Sequence, residues 1–110
     1  MVKFNFKLKG NNISIDVIEC KTFFQKMHGL MFRKKGKSLL FYFNKNSSEA
    51  IHSFFCVNFI AIWFNGNQII DLKYIKPNQF YIRPKEKFDK LLEIPIYSKE
   101  FDRIRLLIKK

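Results

Sequence analysis

The sequence predicts a mostly β (β-rich α+β) fold: a compact antiparallel barrel-like or two-sheet domain of about seven strands with one or two short helices. Three observations point there. Residues 2–8 alternate apolar and polar without a fault, the mark of a half-buried strand. Turn signals at Gly10-Asn11 and Asn65-Gly66 imply hairpin connections. No linker, repeat or low-complexity tract interrupts the chain, so closing the sheet is the economical way to hide its edges. At 110 residues and 47% hydrophobic content, a single domain over residues 1–110 is expected.

Each element has a local cause. With a two-residue turn at Gly10-Asn11, Leu8 faces Ile13, Phe6 faces Ile15 and Phe4 faces Val17, so apolar residues meet across the ladder. Thr22-Phe23-Phe24-Gln25 has the form of a capping box that starts a short helix. Phe23, Met27 and Leu30 or Met31 recur at helical spacing, and Gly29 suits the left-handed stop. Past the basic loop Lys34-Lys35-Gly36-Lys37, the run Leu39 to Phe43 is apolar on both faces, as a central strand is. A polar loop is expected over Asn44 to Glu49.

Ile51 to Phe64 is nearly continuous apolar sequence, closed by Asn65-Gly66, with a return strand over Gln68 to Lys76 that Pro77 ends. Asn78 to Lys90 reads as an exposed loop with one strand-like segment at Phe80-Tyr81-Ile82. Two further strands are expected, Leu91 to Ile96 and about Arg103 to Ile108, the second alternating through Ile104, Leu106 and Ile108.

These blocks carry a resemblance. Gly29-Leu30-Met31-Phe32-Arg33, the aromatic strand Leu39 to Phe43, Ile51-His52-Ser53-Phe54-Phe55, the Asn-Gly turn and Leu91-Leu92-Glu93-Ile94-Pro95 together resemble domain of unknown function 192, also called uncharacterised protein family 0127. The resemblance runs from Ile13 onward and implies a compact β-rich fold with no established biochemical activity. The chain departs from the family pattern in reading Phe59-Ile60-Ala61 where a Pro-Ile-Asp-like step is usual. Tyr97 and Ser98 replace a usual glycine, and a Gly-Asp step is missing before Arg103.

The charge balance is 21 basic against 9 acidic residues, a net +12, with a pI near 9.9. That meets the electrostatic criterion for a nucleic-acid binder. Abundant Lys, Phe, Ile and Asn together are also what an A+T-rich coding bias produces, and the charges are scattered as solvated strand faces require. Cys20 and Cys56 are too few for a disulfide framework, and no targeting segment is recognisable. The longest apolar stretch, Phe54 to Phe64, falls short of the roughly 20 residues a spanning helix needs. A cytoplasmic protein without a membrane span is expected.

The soft ligands Cys20, His28, His52 and Cys56 match no compact zinc spacing, so neither metal nor cofactor is expected. On one strand His52 and Cys56 would stand about 13 Å apart, too far for a Cys-His nucleophile pair. There is no Gly-x-Ser-x-Gly elbow, phosphate loop or paired-carboxylate motif, and no residue is assigned as catalytic. Arg33 follows a helix stop and two core residues, where its guanidinium fork could grip a carboxylate or phosphate or could instead pair structurally with Glu93 or Glu49.

The leading expectation is therefore a non-catalytic binding or interaction module. Its cleft, for a small anionic ligand or a protein partner, would be lined by Arg33, His52, Phe55 and Glu93. The alternative is sequence-tolerant nucleic-acid binding through Arg33, Lys34, Lys35, Lys37, Arg103 and Arg105, with exposed aromatics such as Tyr81 or Tyr97 for stacking. A third reading places acid-base chemistry at His52 and Glu93.

Overall fold

A computed structural model of the chain describes residues 2–21, 37–51, 53, 56–79 and 81–108. Six strands are found there: β1 (Val2–Leu8), β2 (Asn11–Cys20), β3 (Ser38–Ser47), β4 (Phe59–Asn65), β5 (Gln68–Ile75) and β6 (Phe88–Pro95). One helix follows, α1 (Phe101–Ile108). The strands form one sheet in the order β1-β2-β3-β6-β4-β5. All neighbouring pairs are antiparallel except β2 with β3. That parallel pair needs a long crossover, which residues 21–37 supply; the expected helix from Thr22 lies in that stretch, outside the described residues.

The mostly β class holds, in the form of one curled half-barrel sheet with a short C-terminal helix. The curl is visible in its aromatic contacts. Three strands separate β1 from β4, which in a flat sheet would put them about 19 Å apart. Yet the rings of Phe4 and Phe6 pack on Phe64 at centroid distances of 5.2 and 5.5 Å. Only a strongly bent sheet brings them together.

Each face of the sheet carries its own core. The first gathers Phe6, Leu8, Ile13, Ile15, Val17, Leu40, Ile60, Ile62, Phe64, Leu92 and Ile94, and α1 covers it with Phe101 and Ile104. The second gathers Leu39, Phe41, Phe59, Ala61, Trp63, Ile75, Phe88 and Leu91, with Ile51, Cys56 and Ile82 contributed by connecting segments. Alternation along β3, β4 and β6 supplies both sets, so the three central strands read as continuous apolar runs.

Several local expectations change. The first turn is Lys9-Gly10, both at positive φ (49° and 81°), as a type I′ turn requires. The register is Leu8↔Asn11, Phe6↔Ile13 and Phe4↔Ile15, two residues from the expected pairing. With a side-chain period of two, that slip leaves every residue on its face.

The polar Asn44-Lys45-Asn46-Ser47 continues β3 rather than forming a loop. Of the apolar run from Ile51 to Phe64, β4 takes the part from Phe59 onward. Ile51 instead makes an isolated bridge to Ile82, the remnant of the strand-like segment expected at 80–82. The last expected strand is α1: Phe101 and Ile104 are buried three residues apart, while Leu106 is 63% exposed, which is helical and not alternating burial.

Candidate functional site

β6 lies between β3 and β4, in the middle of the sheet. Its residue Glu93 stands opposite Leu39 on one side and Ala61 on the other, all three on the second face. An acid there, between a leucine and an alanine, is only 6% exposed. Its neighbours across the ladder, Leu39 and Ala61, supply no charge to pair with it. Burial pushes its pKa from the ordinary 4.5 up to about 8, because the charged form loses its hydration.

Two further polar groups share this face. Trp63, two residues along β4 from Ala61, sits diagonally from Glu93, within reach for a large side chain. It is fully buried, and its indole Nε1 has no hydrogen-bond partner among the described residues. Cys56 packs against the same core. Burial, and after it the charge of Glu93, pushes its thiol up to about 12, so it stays protonated and is not a nucleophile at physiological pH.

At neutral pH the second face therefore offers a protonated carboxyl and an indole N–H, both donors, beside a neutral thiol. Ala61, with a single methyl, stands directly across from the acid. The arrangement suits an oxygen-bearing group that accepts hydrogen bonds.

Of the residues expected at the site, Glu93 is buried on the second face. Arg33, His52 and Phe55 lie outside the described residues, as do Lys34 and Lys35. Lys37 is half-buried at the start of β3. It acts with Lys99 on Asp16, whose carboxyl is held low mainly by the hydrogen bond from Lys3 at 2.7 Å. Arg103 and Arg105 are exposed on α1, on the far side of the sheet from Glu93.

Cys20 and Cys56 are not joined in a disulfide. Among the described residues no group of three His, Cys, Asp or Glu side chains could hold a metal ion, and no helix is long and apolar enough to cross a membrane. Trp63 was not legible as a site residue, since nothing local in Ile62-Trp63-Phe64 distinguishes a core tryptophan from one with an unsatisfied donor.

The fold and this buried acid define a small β half-barrel with a polar centre inside one of its cores. Solved structures share the shape. A protein of unknown function from Novosphingobium aromaticivorans DSM 12444 superposes with a TM-score of 0.80 at 13% identity, covering 99% of this chain and 79% of its own. A "putative transcription regulator" from Sinorhizobium meliloti 1021 gives 0.75 at 15% identity, covering 92% and 82%. At such identities the likeness concerns the fold alone.

No protein-family model matches the chain. UPF0127 protein PF1050 of Pyrococcus furiosus is 33% identical to it over 91 residues, 79% of this chain and 78% of that protein. The chain belongs to the UPF0127 family.

Proposed function

We propose that the protein is a non-catalytic binding module whose recognition centre is the second face of the half-barrel around Glu93. The observation that carries this reading is the carboxyl itself, only 6% exposed in mid-sheet between Leu39 and Ala61. Holding a carboxyl away from water is costly, and a ligand oxygen that accepts a hydrogen bond from its protonated form would offset part of that cost. Protonated at neutral pH, Glu93 donates instead of repelling, so the oxygen of a small carboxylate or phosphate is an admissible partner. In this reading Arg33 supplies the positive charge, His52 a second polar contact and Phe55 an apolar wall.

The test is nuclear magnetic resonance titration of the labelled protein with a panel of small carboxylates and phosphates at pH 6.5 and pH 9. The expected result is movement of the Trp63 indole and the Ala61 and Glu93 amides at pH 6.5, weakening above pH 8. Glu93→Gln keeps a donor and should retain binding without the pH dependence; Glu93→Leu should abolish it. Failure of every compound to move the Trp63 indole at pH 6.5 rejects the reading.

A further inference from the structure

The connection between β5 and β6 is built around Ser53, which is fully buried. Its hydroxyl donates to the Lys76 carbonyl and accepts from the Gln79 amide, both at 2.7 Å. Its own amide donates to the Gln79 carbonyl at 2.7 Å, and its carbonyl accepts from the Asn78 amide at 2.9 Å. A few residues on, Ile82 and Ile51 exchange two backbone hydrogen bonds of 2.8 and 2.9 Å.

Beside that bridge stands Tyr81, with φ at +62° and 71% of its surface exposed. Positive φ is an outlier for a bulky aromatic residue, and an exposed ring gains nothing from the core. Ile82 already supplies the buried contact here, so packing asks for neither feature. Strain held in place by a rigid surround argues for function.

The ring is also prepared chemically. The Arg83 guanidinium lies over it, 5.6 Å from the centroid, and Arg83 Nη1 donates to the Tyr81 hydroxyl at 3.3 Å. Residues 76–87 contain four basic side chains, Lys76, Arg83, Lys85 and Lys87, against the single acid Glu86.

We propose that Tyr81 and Arg83 form a stacking platform for a base of single-stranded nucleic acid, with Lys76, Lys85 and Lys87 contacting its phosphates. A ring and a guanidinium plane each present a π-face that any base can use, and the lysines act without regard to sequence. An acidic peptide would satisfy the lysines but leave the projecting ring unexplained. The surface belongs to the connection after β5 and does not depend on the Glu93 site.

Fluorescence anisotropy of a labelled mixed-sequence 12-nucleotide single-stranded DNA, titrated with the full chain at low and near-physiological salt, tests it. Tyr81→Phe should bind within about twofold of the unaltered protein. Tyr81→Gly suits the positive φ, so it should fold at least as well, yet bind about 5- to 100-fold more weakly. Lys85→Ala should reduce the salt slope by about one. No binding at low salt, undiminished binding by Tyr81→Gly, or displacement of the DNA by an equal charge of polyglutamate would each overturn the proposal.

Discussion

Glu93 offers the sharpest quantitative test, because a buried acid leaves a signature in stability as well as in binding. Unfolded, its carboxyl titrates near 4.5; folded, near 8. Below pH 4.5 both states hold the proton and the group has no effect. Between the two values the unfolded chain releases a proton that the folded chain keeps, so each rising pH unit removes about 1.4 kcal/mol of stability. The loss reaches roughly 5 kcal/mol above pH 8 and then levels off. Glu93→Gln removes the titration while approximating the protonated acid in shape. Urea unfolding followed by the emission of Trp63, the single tryptophan, at pH 5, 6.5 and 8.5 measures the difference. The variant should lie within about 1 kcal/mol of the unaltered protein at pH 5 and exceed it by several kcal/mol at pH 8.5. Other acids titrate equally in both proteins and cancel. Parallel pH profiles would show that Glu93 ionises normally in the folded state and would refute the reasoning.

Other expectations follow from single contacts. Ser53→Ala leaves the Lys76 carbonyl and the Gln79 amide without their hydroxyl partner, and should cost about 2–3 kcal/mol with faster amide exchange at Gln79 and Ile82. Ile104→Ala, at a fully buried helix position, should cost about 2–5 kcal/mol, whereas Leu106→Ala should stay within about 0.5 kcal/mol; equal losses in thermal melts would favour the strand reading of this segment. Cys56, half-buried and with its thiol pushed up to about 12, should react with iodoacetamide at pH 8 far more slowly than an ordinary exposed cysteine, and rapid labelling of the native state would contradict the raised pKa. Arg33→Ala should leave the melting temperature unchanged and weaken whichever anion binds at Glu93; a large drop in melting temperature would make that arginine structural.

How much of this was legible in the sequence depends on the range of the interaction. Period-two alternation in Val2–Leu8 and the apolar run at Leu39 to Phe43 are local signals, and both became strands. The slip of the first hairpin had a local cause as well. Lys9 adopts positive φ beside Gly10, and the Asn11 side chain donates back to the Lys9 carbonyl at 3.2 Å, a choice that propensity alone does not make. At the C-terminus, Ile104, Leu106 and Ile108 fit a strand, and Phe101, Ile104 and Ile108 fit a helix equally well. Burial against the first face decides it. Likewise, an apolar residue that packs on a sheet looks in sequence like one that belongs to it, which is why Ile51 and Cys56, packed against the second core from outside the strands, read as strand. Glu93 stood out as one acid in an apolar block. Its neighbours Ala61 and Trp63 did not, because the β4–β6 pairing joins residues some thirty positions apart.

The energetic standing of Glu93 is what ties the fold to a role. Every other position of β4 and β6 that faces the second core between Phe59 and Leu91 is apolar apart from the indole nitrogen of Trp63. A leucine at 93 would extend that core, add roughly 2 kcal/mol of apolar burial and remove the pH-dependent loss worked out above. Folding therefore gives no reason for an acid at this position, and a stability argument alone predicts its replacement. Polar groups kept in a core against stability concentrate where a chain binds or reacts. Cys56 is silent as a nucleophile at neutral pH, and Leu39 and Ala61 supply no charge to pair with Glu93. What the acid and the indole retain is the capacity to donate hydrogen bonds to something that enters the second face, which is why we propose binding rather than chemistry there.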